Sequence, residues 1–123
     1  MKICLTSVSE NLDAEIDPRF GRCKYFIIAD PKSMTFKSIP NIANTSGSGA
    51  GIQAAQTLAN ENVSILITGN VGPKAFQALS MVGIKVITGV SGKVIEAIER
   101  YNDGLLSATN QPTVGEHFGL KNF

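Results

Sequence analysis

Little in this chain points to a metal-thiolate framework, a membrane or a nucleic acid. Two cysteines among 123 residues are too few for a disulfide scaffold, and the separation of Cys4 and Cys23 matches no zinc-ligand spacing. Their number leaves room for one redox bridge at most. The single histidine, His117, sits near the end of the chain, so no Ser-His-Asp triad is evident. No apolar run approaches the roughly 20 residues that a membrane helix needs. The opening stretch Met1-Lys2-Ile3-Cys4-Leu5 turns polar at Thr6, far short of a signal-peptide core, and the cytoplasm is the expected compartment. A net charge of +1 and a pI near 7.8 supply no basic field for nucleic acid.

What remains is an ordinary globular composition, 43% hydrophobic and 17% charged, at a length that suits one domain. The expected domain spans residues 1–123, with residues 105–123 as a tail. Residues 3–8, 24–30 and 35–39 read as strands; Asp30-Pro31-Lys32-Ser33 supplies turn chemistry, so the second and third form a hairpin. A small-residue loop, residues 44–51, then opens a helix to about Asn60, with Ile52, Ala55, Leu58 and Ala59 along one face. Residues 63–68 form a buried strand. Pro73 stands where the first residue of a second helix belongs, and Phe76, Leu79 and Val82 make its stripe. Residues 84–88 form a fifth strand; Val94, Ile95, Ile98 and Tyr101 mark a third helix, ended at Gly104.

Alternating strands and helices in the second half imply parallel pairing. The simplest architecture is a five-stranded mixed α/β sheet, order 3-2-1-4-5 with strand 2 antiparallel, covered by three helices. Its topology carries the functional argument. Ile67-Thr68-Gly69-Asn70-Val71-Gly72 and Ile87-Thr88-Gly89-Val90-Ser91-Gly92 repeat the pattern Ile-Thr-Gly-x-x-Gly, each at a strand end and a helix start. Glycine there lets the backbone turn sharply or approach something closely, although glycine is also common in such loops for no other reason. The order brings both loops, the loop 9–23 and the loop 44–51 to the carboxyl edge of the sheet, where open α/β sheets bind ligands. Helix N-termini aimed at that edge suit an anion.

Known nucleotide motifs do not fit. Gly47-Ser48-Gly49-Ala50-Gly51-Ile52 has isoleucine where the dinucleotide fingerprint ends in glycine, and Gly92-Lys93 continues into Val94 rather than Ser or Thr.

Asp17-Pro18-Arg19-Phe20-Gly21-Arg22-Cys23 with Tyr25-Phe26-Ile27-Ile28, then Gly49-Ala50-Gly51-Ile52-Gln53-Ala54-Ala55, Thr68-Gly69-x-x-Gly72-Pro73-x-Ala75, Gly83-Ile84-Lys85-Val86 and Tyr101-x-x-Gly104-x-Leu106 together resemble the dinitrogenase iron–molybdenum cofactor biosynthesis family. The resemblance runs from Met1 to about Gly119. It implies a three-layer ribonuclease H-like α/β/α fold and non-enzymatic carriage of an iron–sulfur or molybdenum-containing cluster. It also implies donor or acceptor proteins for that cluster as partners. Relatives of this kind include nitrogenase cofactor carriers and stand-alone proteins, one of them a molybdenum–copper cluster protein. Two departures from the nitrogenase-linked members are expected, a single histidine and no fused cofactor-assembly domain.

The candidate cofactor-binding residues are Arg19, Phe20, Gly21, Arg22, Gly49, Gly51, Thr68, Gly69, Gly72, Gly89 and Gly92. Paired guanidinium groups hold anions by charge-assisted hydrogen bonds, or else pack and cap a neighbouring helix. Cys23 is a candidate soft-metal ligand at the same edge, against the reading of a small apolar strand residue. His117 is a candidate imidazole ligand if the tail folds back. Cys4, mid-strand, belongs to the core. A nuclease, the reading by fold analogy, needs inward carboxylates, and the first strand offers Cys4, Thr6 and Ser7 instead. A metal-free module that binds an anionic metabolite or a partner protein is the competing reading.

Overall fold

The computed structural model describes residues 1–45 and 49–113. The strands are β1 (Ile3–Ser7), β2 (Tyr25–Ala29), β3 (Phe36–Pro40), β4 (Ile65–Ile67) and β5 (Lys85–Ile87); the helices are α1 (Ala50–Asn60), α2 (Pro73–Met81) and α3 (Val94–Asn102). Short 3-10 turns occupy Phe20–Arg22 and Ile42–Thr45. The sheet order is β3-β2-β1-β4-β5, as the sequence predicts. β1 pairs antiparallel with β2 and parallel with β4; β2–β3 is antiparallel and β4–β5 parallel.

Helices cover both faces of this sheet, so its central strand is enclosed along its whole length, the polar Thr6 and Ser7 included. All five residues of β1 are buried. The period of two then divides the strands between two cores. Cys4, Phe26, Ile28, Leu66 and Val86 face α1 and α2, where they meet Ala54, Ala55, Leu58 and Leu79. Ile3, Leu5, Ile27, Ile67 and Ile87 face α3, where they meet Val94, Ala97 and Ile98. In the β2–β3 hairpin the Asp30 carboxylate accepts the N–H groups of Lys32 and Ser33, and these bonds lower its pKa.

Two helix faces differ from expectation. Gly51, Ala54, Ala55 and Leu58 recur at i, i+3, i+4 and i+7 and carry the contact of α1; Ile52 lies off that stripe and is 48% exposed. Gly51 also sits so close to α2 that a Cβ on it would lie 2.7 Å from the Ala75 Cβ. Val82, expected in the stripe of α2, caps the helix instead and is exposed. Helix α3 ends as expected, with Gly104 at φ 74.

Residues 105–113 do not form a free tail. Leu106 packs against the α3-side core, and Thr109 forms an antiparallel bridge to Val86 on the outer edge of β5. No helix among the described residues is long and apolar enough to cross a membrane.

Candidate functional site at the carboxyl edge

Register places the ends of all five strands together. Ser7 opposes Tyr25, Tyr25 opposes Pro40, and Leu5 and Ile87 both oppose Ile67. The connections leaving this edge therefore share one end of the molecule, including both Ile-Thr-Gly loops.

The connection between β1 and β2 binds these loops to one another. Near its start, Ala14 and Leu12 carbonyls accept from the first amides of α3, Val94 at 2.9 Å and Ile95 at 2.9 Å. Ile16 donates to the Gly92 carbonyl at 2.8 Å. Further on, Asn70 N–H donates to the Pro18 carbonyl at 2.8 Å, and Phe20 N–H donates to the Asn70 carbonyl at 3.3 Å. The 3-10 turn that follows reaches α1: a Cβ on Gly21, which has φ 46, would lie 3.1 Å from the Gly51 nitrogen. One irregular segment thus touches the start of α3, the β4–α2 loop and the start of α1.

The helix N-termini differ in what they leave open. Glu96 accepts the Lys93 N–H at 3.1 Å and, with the Ala14 and Leu12 carbonyls, closes the first turn of α3. The expectation that α3 offers amides to a ligand is therefore corrected: its own chain has taken them. Among the described residues, no side chain caps helices α1 and α2, which begin at Gly49 and Gly72.

The candidate residues separate in the same way. Phe20 is buried and tilts against Phe26, 5.9 Å between ring centroids, so it anchors its loop in the core. Thr68 is fully buried; its hydroxyl lies 2.8 Å from that of Thr6, whose proton goes to the Asp17 carbonyl at 2.6 Å, so Thr68 is the donor. Gly21, Gly51 and Gly69 are filled by neighbouring atoms, and a Cβ on Gly92 would meet the Glu96 carboxylate at 3.0 Å. Among the described residues, no atom lies within 4 Å of a Cβ built on Gly49 or Gly89, the latter with φ 76. Arg19 and Arg22 are exposed. Asp17, itself buried, accepts the Arg19 N–H at 3.0 Å and stands 3.6 Å from its guanidinium Nε, fixing the base of that side chain.

Cys23 is corrected by its surroundings. It is 0% exposed, and burial first, then the Asp17 carboxylate, push its thiol up to about 12. Hydrogen bonds from Asn41 and the Ser7 N–H offset only part of this. A neutral, enclosed thiol is a poor ligand for a group arriving from solvent. Cys4 is likewise buried and raised, chiefly by desolvation, and both cysteines are free thiols. His117 lies outside the described residues. Among the described residues no three His, Cys, Asp or Glu side chains gather as a metal-ligand set.

Sequence reasoning missed Asn41. Its buried amide donates to the Gly21 carbonyl at 3.1 Å and the Cys23 carbonyl at 3.0 Å, while its Oδ1 accepts the Ala43 N–H at 3.2 Å. It joins the arginine-bearing turn to the segment that leads into the glycine-rich loop. An asparagine after a strand-ending proline reads as turn chemistry, and nothing local signals a clamp between distant segments.

Three relatives match nearly the whole chain. The apo orange protein of Desulfovibrio gigas is 42% identical, with TM-score 0.89 over 92% of this chain and 96% of its own. A Thermotoga protein described provisionally as NifB is 34% identical, with TM-score 0.78 over 92% and 97%. An uncharacterised protein of Methanocaldococcus jannaschii is 30% identical over 86% of this chain and 93% of its own. The family model described as dinitrogenase iron-molybdenum cofactor matches residues 1–104. On that match, the chain belongs to the dinitrogenase iron–molybdenum cofactor family.

Proposed function

We propose that this protein binds and carries an iron- or molybdenum-containing metal–sulfur cluster at the carboxyl edge of its sheet, without catalysing a reaction. The observation that carries the reading is the convergence of the loops on one edge, with α1 and α2 entering it uncapped. The groups that would meet an anion there are the backbone at Gly49 and Gly72, the first-turn amides of α1 and those of α2 beyond Pro73, and the exposed Arg19 and Arg22 guanidinium groups, while the Gly89 N–H is held by the Gly69 carbonyl. An anionic cluster whose sulfides and oxo groups accept hydrogen bonds suits that chemistry, because charge-assisted bonds to such acceptors are about twice as strong as neutral ones. Phe20, Gly21, Gly51, Thr68, Gly69 and Gly92 would build the edge rather than touch the cargo. Membership of the family supports the same cargo, and cluster donor and acceptor proteins would be the partners.

Anaerobic reconstitution with iron, sulfide and molybdate tests this. The expected result is a visible absorption band that co-migrates with the protein and with bound metal. A colourless, metal-free protein after several cluster donors overturns it.

The enclosure of Cys23 and the lack of a ligand trio among the described residues favour one alternative, a metal-free module for an anionic metabolite. Thermal stabilisation by organic phosphates or nucleotides, and none by cluster, identifies that case.

A further inference from the structure

The segment that follows α3 is attached to both Ile-Thr-Gly loops at once. Gly104, at φ 74, turns the chain out of the helix, and Leu106 anchors it on the α3-side core. Thr109 then donates its N–H to the Val86 carbonyl at 2.6 Å. Its hydroxyl accepts the Thr88 N–H at 3.1 Å and lies 2.6 Å from the Thr88 hydroxyl. Thr113 repeats the arrangement on the other loop: its N–H donates to the Val71 carbonyl at 3.0 Å, and its hydroxyl accepts the Val71 N–H at 3.0 Å. Thr88 is the threonine of the second repeat. Val71 directly precedes Gly72, the N-cap of α2.

We propose that residues 105–113 form a releasable strap, which sets the shape of the two Ile-Thr-Gly loops and thereby the retention of the ligand; the retention half rests on the carrier reading. Among the described residues, its attachments are neutral hydrogen bonds and one apolar anchor. Leu105 is 69% exposed, and residues 107, 108 and 110–113 are exposed as well. An element held this way opens at lower cost than the sheet to which it is attached. The loops themselves are joined independently, Gly89 N–H to the Gly69 carbonyl at 2.8 Å and Val90 N–H to the Thr68 carbonyl at 3.2 Å. Strap release therefore alters the outer side of the loops without dismantling the edge. A ligand that engages the loop shape seen with the strap attached binds that state more tightly. By reciprocity it also holds the strap in place.

Amide hydrogen exchange by NMR on the unloaded full chain tests the strap itself. Val71, Thr88, Thr109 and Thr113 should open together, well before Cys4 and Leu66 in the sheet. Thr113→Val should speed Val71 exchange, and Thr109→Val that of Thr88, each by roughly fivefold, the equivalent of one neutral hydrogen bond. Thr113→Ser, which keeps the hydroxyl, should match the parent. Exchange of these amides only through global unfolding, or no response to the valine variants, overturns the strap. A second arm loads the parent and the double valine variant with iron, sulfide and molybdate. Loss of colour from the variant should be about fivefold faster, the low end of ordinary coupling between sites. Equal retention overturns the coupling. A parent that never colours counts against carriage, while the exchange arm still decides the strap.

Discussion

Gly69 meets Pro18 backbone to backbone: a Cβ on the glycine would lie 2.7 Å from the proline Cα and 2.9 Å from its carbonyl oxygen. That carbonyl is already engaged, accepting the Asn70 N–H at 2.8 Å and the Asn70 side-chain amide at 3.4 Å. The first repeat loop thus needs glycine to admit its neighbour, a requirement distinct from that of a ligand.

Gly69→Ala is expected to push the two loops apart, since the obstructing atoms are backbone and cannot swing away. Overpacking of this kind costs about 1–3 kcal/mol. Gly49→Ala meets no atom within 4 Å and has negative φ, so it should lose only an N-cap glycine, less than about 1 kcal/mol. Urea denaturation of both variants checks the contrast; equal losses would remove the close-approach explanation.

Asn41→Ala leaves the Gly21 and Cys23 carbonyls without their shared donor. Each unsatisfied buried group costs about 1–3 kcal/mol, and partial relaxation brings the expected total to roughly 2–4 kcal/mol. Chemical shifts should move at Gly21 and Cys23 and stay fixed on α3, which lies against the opposite face of the sheet. A loss below about 0.5 kcal/mol would show that the amide only fills space.

The strand order was legible because each strand carries its own signal, as in the apolar Ile3-Cys4-Leu5 and Tyr25-Phe26-Ile27-Ile28, and because hairpin and helix connections leave few ways to arrange them. The common edge followed from that order. The burial of individual residues there was not legible. Cys23 looks like an edge residue in sequence, and only the return of Asn41 and Phe20 over it makes it part of the core. The closed N-terminus of α3 is hidden for the same reason, since its partners are carbonyls of Leu12 and Ala14, far away along the chain. The match of Thr109 and Thr113 to β5 and Val71 has no periodic signature at all. Short-range pattern fixes elements, whereas these features come from irregular segments that meet only after folding.

The buried thiols predict how stability changes in alkali. Cys23 titrates near 12 in the folded chain and near 8.5 when unfolded, so its folded pKa is the raised one. Its contribution is then complete below about pH 8.5 and falls as pH rises toward 12, by about 1.4 kcal/mol per pH unit for one such thiol. Cys4, shifted in the same direction, adds to the loss. Urea midpoints should decline from about pH 8.5 upward, and Cys23→Ala should flatten the decline. In the native state both thiols should resist iodoacetamide at pH 8 and react once urea exposes them. Rapid native alkylation of Cys23 would return it to the list of accessible ligands.

Arg19 is the most direct test of how the cargo would be held. Its side chain is 58% exposed, while its base is fixed by the Asp17 carboxylate, so removing it should change binding more than folding. Arg19→Ala is expected to cut retention of the visible band about tenfold, the scale of one charge-assisted hydrogen bond. Arg19→Lys keeps the charge but loses the planar fork, and should fall between parent and alanine variant. Raising ionic strength should weaken the parent more than Arg19→Ala, because the exposed guanidinium acts through a screened field. The measurement is loss of absorbance under a chelator at two salt concentrations, with the urea midpoint as the folding control. If the alanine variant holds its colour as long as the parent at both salt levels, the guanidinium takes no part in carriage. The uncapped first turns of α1 and α2 would then carry the anion without it.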